Sequence, residues 1–198
     1  FLKKVRKLAT KNNIILIFDE CSSGFRQTFG GIHKLYDVQP DMAMFGKTLG
    51  NGYAITAIIG KRDIMEAAQN TFISSTFWTE RIGPVAALKT LEVMEKIQSW
   101  KIITEIGRDI ENRWKKLAKK YNIKLEVQGI PAFVNFNIKS NNWLKYKTYI
   151  TQEMLKKGYL ASNAVYACTE HKKNIIDGYF IHLEPIFKTI SDCESGDN

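Results

Sequence analysis

Two short apolar runs, each stopped by a residue that can do chemistry, constrain this chain more than any other feature. Ile14-Ile15-Leu16-Ile17-Phe18 is rich in branched side chains and ends on Asp19, and Met42-Ala43-Met44-Phe45 ends on Gly46-Lys47. An unbroken apolar run of this length fits a strand buried on both faces, as in a parallel sheet covered by helices. About twenty residues separate the two runs, enough for a parallel crossover. Gly24, Gly30 and Gly31 mark an irregular stretch between them, and Pro40 marks the next boundary. In open α/β sheets ligands bind outside the carboxyl ends of the strands, so Asp19 and Lys47 are expected to face one crevice. A third run, Ala54-Ile55-Thr56-Ala57-Ile58-Ile59-Gly60, follows the loop Gly50-Asn51-Gly52.

The rest of the chain reads as helices around a second, smaller sheet. Residues 2–12 form a basic amphipathic helix. Helices are expected at 80–97 and 102–121, the second carrying Ile103, Ile106, Ile110, Trp114, Leu117 and Tyr121 on one face. Residues 125–127 and the alternating stretch 132–138 read as strands, with helices following at 142–157 and 173–190. The last helix places Ile176, Phe180, Leu183, Phe187 and Ile190 on one stripe. A lobe boundary is expected near residues 98–100, and 191–198 reads as a polar tail. The fold class is therefore α/β, divided as 1–98, 99–190 and the tail.

Composition narrows the function less. The net charge of +9 is spread along the chain, and its densest cluster, Lys115-Lys116-Leu117-Ala118-Lys119-Lys120, falls on an amphipathic helix, where charge runs serve to solvate a face. A basic nucleic-acid binder is thus disfavoured, and no apolar run is long enough to cross a bilayer. Cys21, Cys168 and Cys193 are odd in number, scattered and without metal-ligand spacing, which suits reduced thiols in a cytoplasmic protein and predicts no metal site. The first residues lack a signal peptide's apolar core and look like a helix already under way, as if the chain began inside a larger protein. His33, His171 and His182 stand apart from one another and receive no catalytic role.

An acid and an amine across a small crevice suit several chemistries, and one especially well: a pyridoxal-phosphate (PLP) site, where a lysine takes the aldehyde as an imine and an acid keeps the pyridine nitrogen protonated. Here a resemblance becomes specific. Phe18-Asp19-Glu20-Cys21-Ser22-Ser23-Gly24-Phe25-Arg26, Val38-Gln39-Pro40-Asp41-Met42 and Gly46-Lys47-Thr48-Leu49-Gly50-Asn51-Gly52 resemble, in order and spacing, the cofactor signature of class III aminotransferases. The glutamate-1-semialdehyde aminomutase branch is closest in flavour. The spacing of a Walker A phosphate loop is absent around Lys47.

The resemblance implies a fold-type-I PLP-dependent transferase in part: residues 1–98 as the C-terminal part of the large α/β/α PLP-binding domain, and 99–190 as the small α+β C-terminal domain. It makes Lys47 the cofactor's imine partner and the acid–base group for the substrate proton, a role that burial and a cationic cofactor would favour by keeping the free amine neutral. Asp19 pairs with the pyridinium nitrogen, and Cys21 packs under the ring as a small apolar contact. Thr79 meets the phosphate in the neighbouring subunit of a homodimer and caps a helix entering at Glu80, with Ser75 and Thr76 as rivals for the phosphate. Glu20 either orients its neighbours or is structural, and Arg26 is read as a structural ion pair in preference to a contact with a substrate carboxylate. The implied substrates are small amino- and oxo-acids or amino-sugar-like compounds, with transamination and internal amino shift both open.

This chain departs from the family pattern in Glu80-Arg81-Ile82-Gly83-Pro84 and at Asn51. Family chains are about twice as long, the phosphate-gripping loop and ring-stacking aromatic lying ahead of the part resembled here. Such a fragment is expected to show little activity alone. A different reading is a catalytically silent dimerisation or binding module.

Overall fold

The computed structural model describes residues 1–77 and 79–196. The chain divides into two compact units, Phe1–Lys101 and Ile102–Asn198.

In the first unit, helix α1 (Leu2–Lys11) leads to strand β1 (Ile17–Asp19), and a 3-10 turn at Ile32–Tyr36 precedes β2 (Met42–Phe45) and β3 (Ala57–Gly60). β1 and β2 are parallel, as the crossover length allows, and β3 returns antiparallel on the far side of β2. A short helix α2 (Arg62–Met65), a 3-10 turn (Glu66–Asn70) and the long helix α3 (Ile82–Ile97) complete the unit. Its core is small: Ala43 and Phe45 of β2, Leu49 and Ala87 of α3, with Phe25, Ile55, Ala57 and Leu91 against them.

A buried carboxylate ties the sheet together at its amino end. Asp41 accepts the Leu16 backbone N–H at 2.7 Å, Arg6 Nη1 at 2.8 Å and Lys61 Nζ at 2.7 Å. One side chain thus joins α1, the approach to β1, the start of β2 and the exit of β3. Those donors, the Leu16 amide first, then Lys61 and Arg6, hold its carboxyl well below the usual carboxylate range.

The first apolar run forms less strand than expected. Residues 14–16 lie outside the ladder because the Ile14 N–H bonds the Ala9 carbonyl at 2.9 Å and the Leu16 N–H is taken by Asp41. Nor is β1 buried on both faces. Ile15 is 52% and Ile17 49% exposed, and Ile58 and Ile59 on β3 are more than half exposed. α3 starts at Ile82 rather than residue 80, and ends on Gln98 in the left-handed conformation, so that α4 (Ser99–Lys120) follows without a linker.

The second unit holds most of α4, an antiparallel sheet of β4 (Leu125–Ile130), β5 (Phe133–Ile138) and β6 (Ala164–Tyr166), and helices α5 (Trp143–Lys156) and α6 (Lys173–Ser195). Alternation along β5 points Val134, Phe136 and Ile138 inward onto Trp114, Ile150, Met154, Leu183, Phe187 and Ile190. Trp114 and Phe136 meet edge to face at 4.7 Å, and Trp114 Nε1 donates to the Tyr179 hydroxyl at 3.0 Å. The helical stripes read from the sequence are the buried ones, except that Ile106, Tyr121 and Phe180 are only partly covered. Gly107 lets α4 pass against the 130–133 turn, since a Cβ there would sit 1.6 Å from the Pro131 carbonyl oxygen.

The expected polar tail is corrected for residues 191–195, which continue α6. Buried Ile190 and the bonds Ser191 Oγ to the Tyr121 carbonyl (2.7 Å) and Tyr146 hydroxyl to Glu194 (2.6 Å) hold the last turns down. Residues 197 and 198 fall outside the described part. Among the described residues no helix is long and apolar enough to cross a membrane.

Candidate functional site

Asp19 and Lys47 leave the sheet side by side. β1 and β2 lie parallel with Asp19 in register with Met44, and Lys47 stands just past the end of β2. The two residues issue from neighbouring strand tips at the carboxyl edge, where α/β sheets place ligands.

Asp19 Oδ1 accepts the Cys21 backbone N–H at 3.0 Å. That amide first, then the Cys21 thiol and the charge of Lys47, hold the Asp19 carboxyl below its ordinary value. Its ionised form is therefore favoured, as a partner for a cationic ring nitrogen requires. The same contact raises the Cys21 thiol, which donates to Asp19. Cys21 is half-buried beside Gly46.

Lys47 sits in the left-handed region, φ 43°, a conformation unusual for a residue with a side chain. The turn is held by Leu49 N–H to the Gly46 carbonyl and Asn51 N–H to the Lys47 carbonyl, both at 3.0 Å. Lys47 is exposed where burial was expected, because this turn carries it beyond the sheet's edge. Its Nζ donates to the Ser22 hydroxyl. Next to it, the Thr48 hydroxyl oxygen is enclosed without a hydrogen-bond partner among the described residues.

Two residues support this edge from behind. Arg26 Nε donates to the Ser22 carbonyl at 2.7 Å and fixes the turn that carries Ser22. Glu20, 2% exposed, staples the segment after β1. It accepts the Ser23 hydroxyl at 2.5 Å and the N–H groups of Ile32 (3.0 Å) and His33 (3.1 Å), and lies 2.9 Å from His33 Nδ1. Burial pushes its carboxyl up, and these bonds, Ser23 first, outweigh that and leave it below its ordinary value. Glu20 faces the fold, so of its two expected roles the structural one is what the contacts describe.

Thr76 and Thr79 lie in the exposed stretch before α3. Thr79 does not cap that helix: Arg81 is the N-cap and no side chain makes a capping bond there, because the helix begins two residues later than its sequence suggested. Among the described residues no hydrogen bond joins either threonine to the Asp19–Lys47 pair. Ser22 was not singled out from sequence, where the only signal is a pair of hydroxyl residues, Ser22-Ser23, just after a strand-ending acid.

The sequence profile of the family described as Aminotransferase class-III matches residues 1–176. The 3-aminobutyryl-CoA aminotransferase of Cloacimonas acidaminovorans is 37% identical over 153 residues, which are 77% of this chain and 37% of that protein. The glutamate-1-semialdehyde 2,1-aminomutase of Methanocaldococcus jannaschii is 29% identical over 206 residues, covering 95% of this chain and 48% of that protein. Among solved structures, the PLP internal aldimine form of the Sphingopyxis FumI protein superposes with a TM-score of 0.88 at 18% identity, over 98% of this chain and 48% of that one. An S-selective transaminase from Arthrobacter does so with a TM-score of 0.82 at 19% identity, over 97% and 48%. These superpositions show the fold, that of fold-type-I PLP-dependent transaminases. The chain spans about half the length of the curated relatives it matches, or less. Strand-end chemistry, fold and family profile agree: the chain belongs to the class-III aminotransferase family.

Proposed function

We propose that this chain supplies the lysine and the ring-nitrogen carboxylate of an enzyme that transfers amino groups between small amino- and oxo-compounds with pyridoxal 5′-phosphate. The observation that carries the reading is the pairing of Asp19 and Lys47 at the tips of two hydrogen-bonded parallel strands, with the charge of Lys47 acting on the Asp19 carboxyl. When bound, the cofactor provides an electron sink for the bond-breaking step. The residues of this chain do the rest. Lys47 offers an amine that attaches the cofactor and then moves the substrate proton. Asp19, kept ionised by the Cys21 amide, holds a proton on the ring nitrogen. Ser22 orients the Lys47 amine, and Cys21 lines the site beside Gly46. Thr79, with Thr76 as the rival, meets a phosphate across a homodimer interface.

Transfer between two molecules is favoured over a shift within one, because the relative at 37% identity is named an aminotransferase and those named aminomutases share 26–31%. Mixing the purified chain with the cofactor should give a visible absorption band that saturates. Lys47→Ala should abolish it, and Asp19→Asn should weaken cofactor affinity about ten-fold. A band of equal size in Lys47→Ala would remove the enzyme reading. It would leave the second one, a silent binding module, which the exposed isoleucines of β1 and β3 favour.

A further inference from the structure

The second unit contains a cavity of 310 Å³ between α4, β6 and α6, with no part in the site described above. Its walls include Ile110, Tyr159, Tyr166, His171, Ile175 and Tyr179. This volume is at the lower end for small-molecule sites.

The walls are apolar surfaces and aromatic rings held in place. Tyr166 is stacked on Phe133 with ring centroids 3.9 Å apart. Tyr159 meets Tyr179 edge to face at 6.1 Å, and Gly178 leaves room for the Tyr159 hydroxyl, which a Cβ there would approach to 2.5 Å. The Tyr179 hydroxyl accepts Trp114 Nε1 inside the core, so that ring cannot turn away.

One wall residue gives the cavity polarity of a defined sign. The Cys168 backbone N–H donates to His171 Nδ1 at 3.3 Å. A ring nitrogen that accepts carries no proton, so the imidazole is the tautomer with its proton on Nε2, a donor. Burial pushes the His171 pKa down, which keeps the ring neutral. A neutral donor among aromatic walls suits an oxygen acceptor attached to a flat ring.

We propose that this cavity binds a small aromatic molecule carrying an uncharged oxygen acceptor next to its ring, with His171 as the hydrogen-bond donor. Because it uses neither Asp19 nor Lys47, the proposal stands or falls apart from the cofactor reading.

The test is an amide chemical-shift titration of the whole chain with benzamide, which has the acceptor, and toluene, which lacks it. The expected result is saturable shifts centred on Tyr166, Cys168, His171 and Ile175. Ile175→Trp, which fills the cavity, should abolish them for both probes. His171→Asn keeps an acceptor for the Cys168 N–H, and its shorter amide does not extend to the place of the ring's Nε2–H; it should weaken benzamide about five-fold and leave toluene unchanged. Absence of saturable shifts at those amides in the parent chain would overturn the proposal. So would shifts that survive Ile175→Trp, or equal benzamide affinity in the parent and His171→Asn.

Discussion

At the scale of the residue, Lys47 is the telling position because its backbone is strained where its chemistry is proposed. A side-chain-bearing residue at φ 43° costs energy that Gly would not. Lys47→Ala and Lys47→Gly should both lose the cofactor band, while the Gly variant is the more stable of the two by about 1 kcal/mol in urea titrations. Asp41 makes the opposite case, a residue whose work is purely structural. Its carboxyl is lowered from the ordinary 3.8. Stability from it is therefore complete above that value and disappears as the pH falls below it, where the unfolded chain takes up a proton that the folded chain resists. Asp41→Asn should cost about 2 kcal/mol at pH 7. The gap between parent and variant should narrow progressively in denaturant titrations carried further and further below pH 3.8. Both Asp19 and Lys47 were legible in sequence, because a polar residue that ends an apolar run is conspicuous. Ser22 was not: a serine in a turn looks like any other until the fold brings an amine to it. Nor did the sequence decide between the two roles expected of Glu20, since which neighbour faces the interior follows only from the backbone direction.

At the scale of the element, periodicity reported the long helices well and the short pieces poorly. α5 and the stripes of α4 and α6 were readable because about four to six turns repeat the same apolar spacing. β6, three residues long, has too little alternation to stand out, and exists because β5 offers it an edge. The final turns of α6 read as polar because Ser191 and Glu194 are polar, yet each has a partner supplied by a distant residue. Gly107 shows how tertiary contact overrides propensity. By helix preference alone Gly107→Ala should stabilise α4 by about 1 kcal/mol. The Pro131 carbonyl stands where the methyl would go, so the expected outcome is a net loss of about 2 kcal/mol, read as a lower thermal midpoint. A higher midpoint would mean that α4 and the 130–133 turn are not in contact.

At the scale of the molecule, the sequence pattern described burial that this chain by itself does not supply. The run before Asp19 has the composition of a strand covered on both faces, yet Ile15 and Ile17 are half exposed. Composition records what a segment prefers to touch, and a ladder on one side only cannot satisfy it. The second unit, whose sheet is packed by its own helices, shows no such shortfall around Phe136 and Phe187, both fully buried. The proposed chemistry depends on the identity of one amine, and reductive trapping tests it most directly. The chain is mixed with a stoichiometric amount of pyridoxal phosphate, reduced with borohydride, digested and mapped by mass spectrometry. The prediction is a pyridoxyl mark concentrated on Lys47, falling to the level of the surface lysines when Asp19 is changed to Ala. A mark spread evenly over the surface lysines, with Lys47 no richer than the rest, would contradict it.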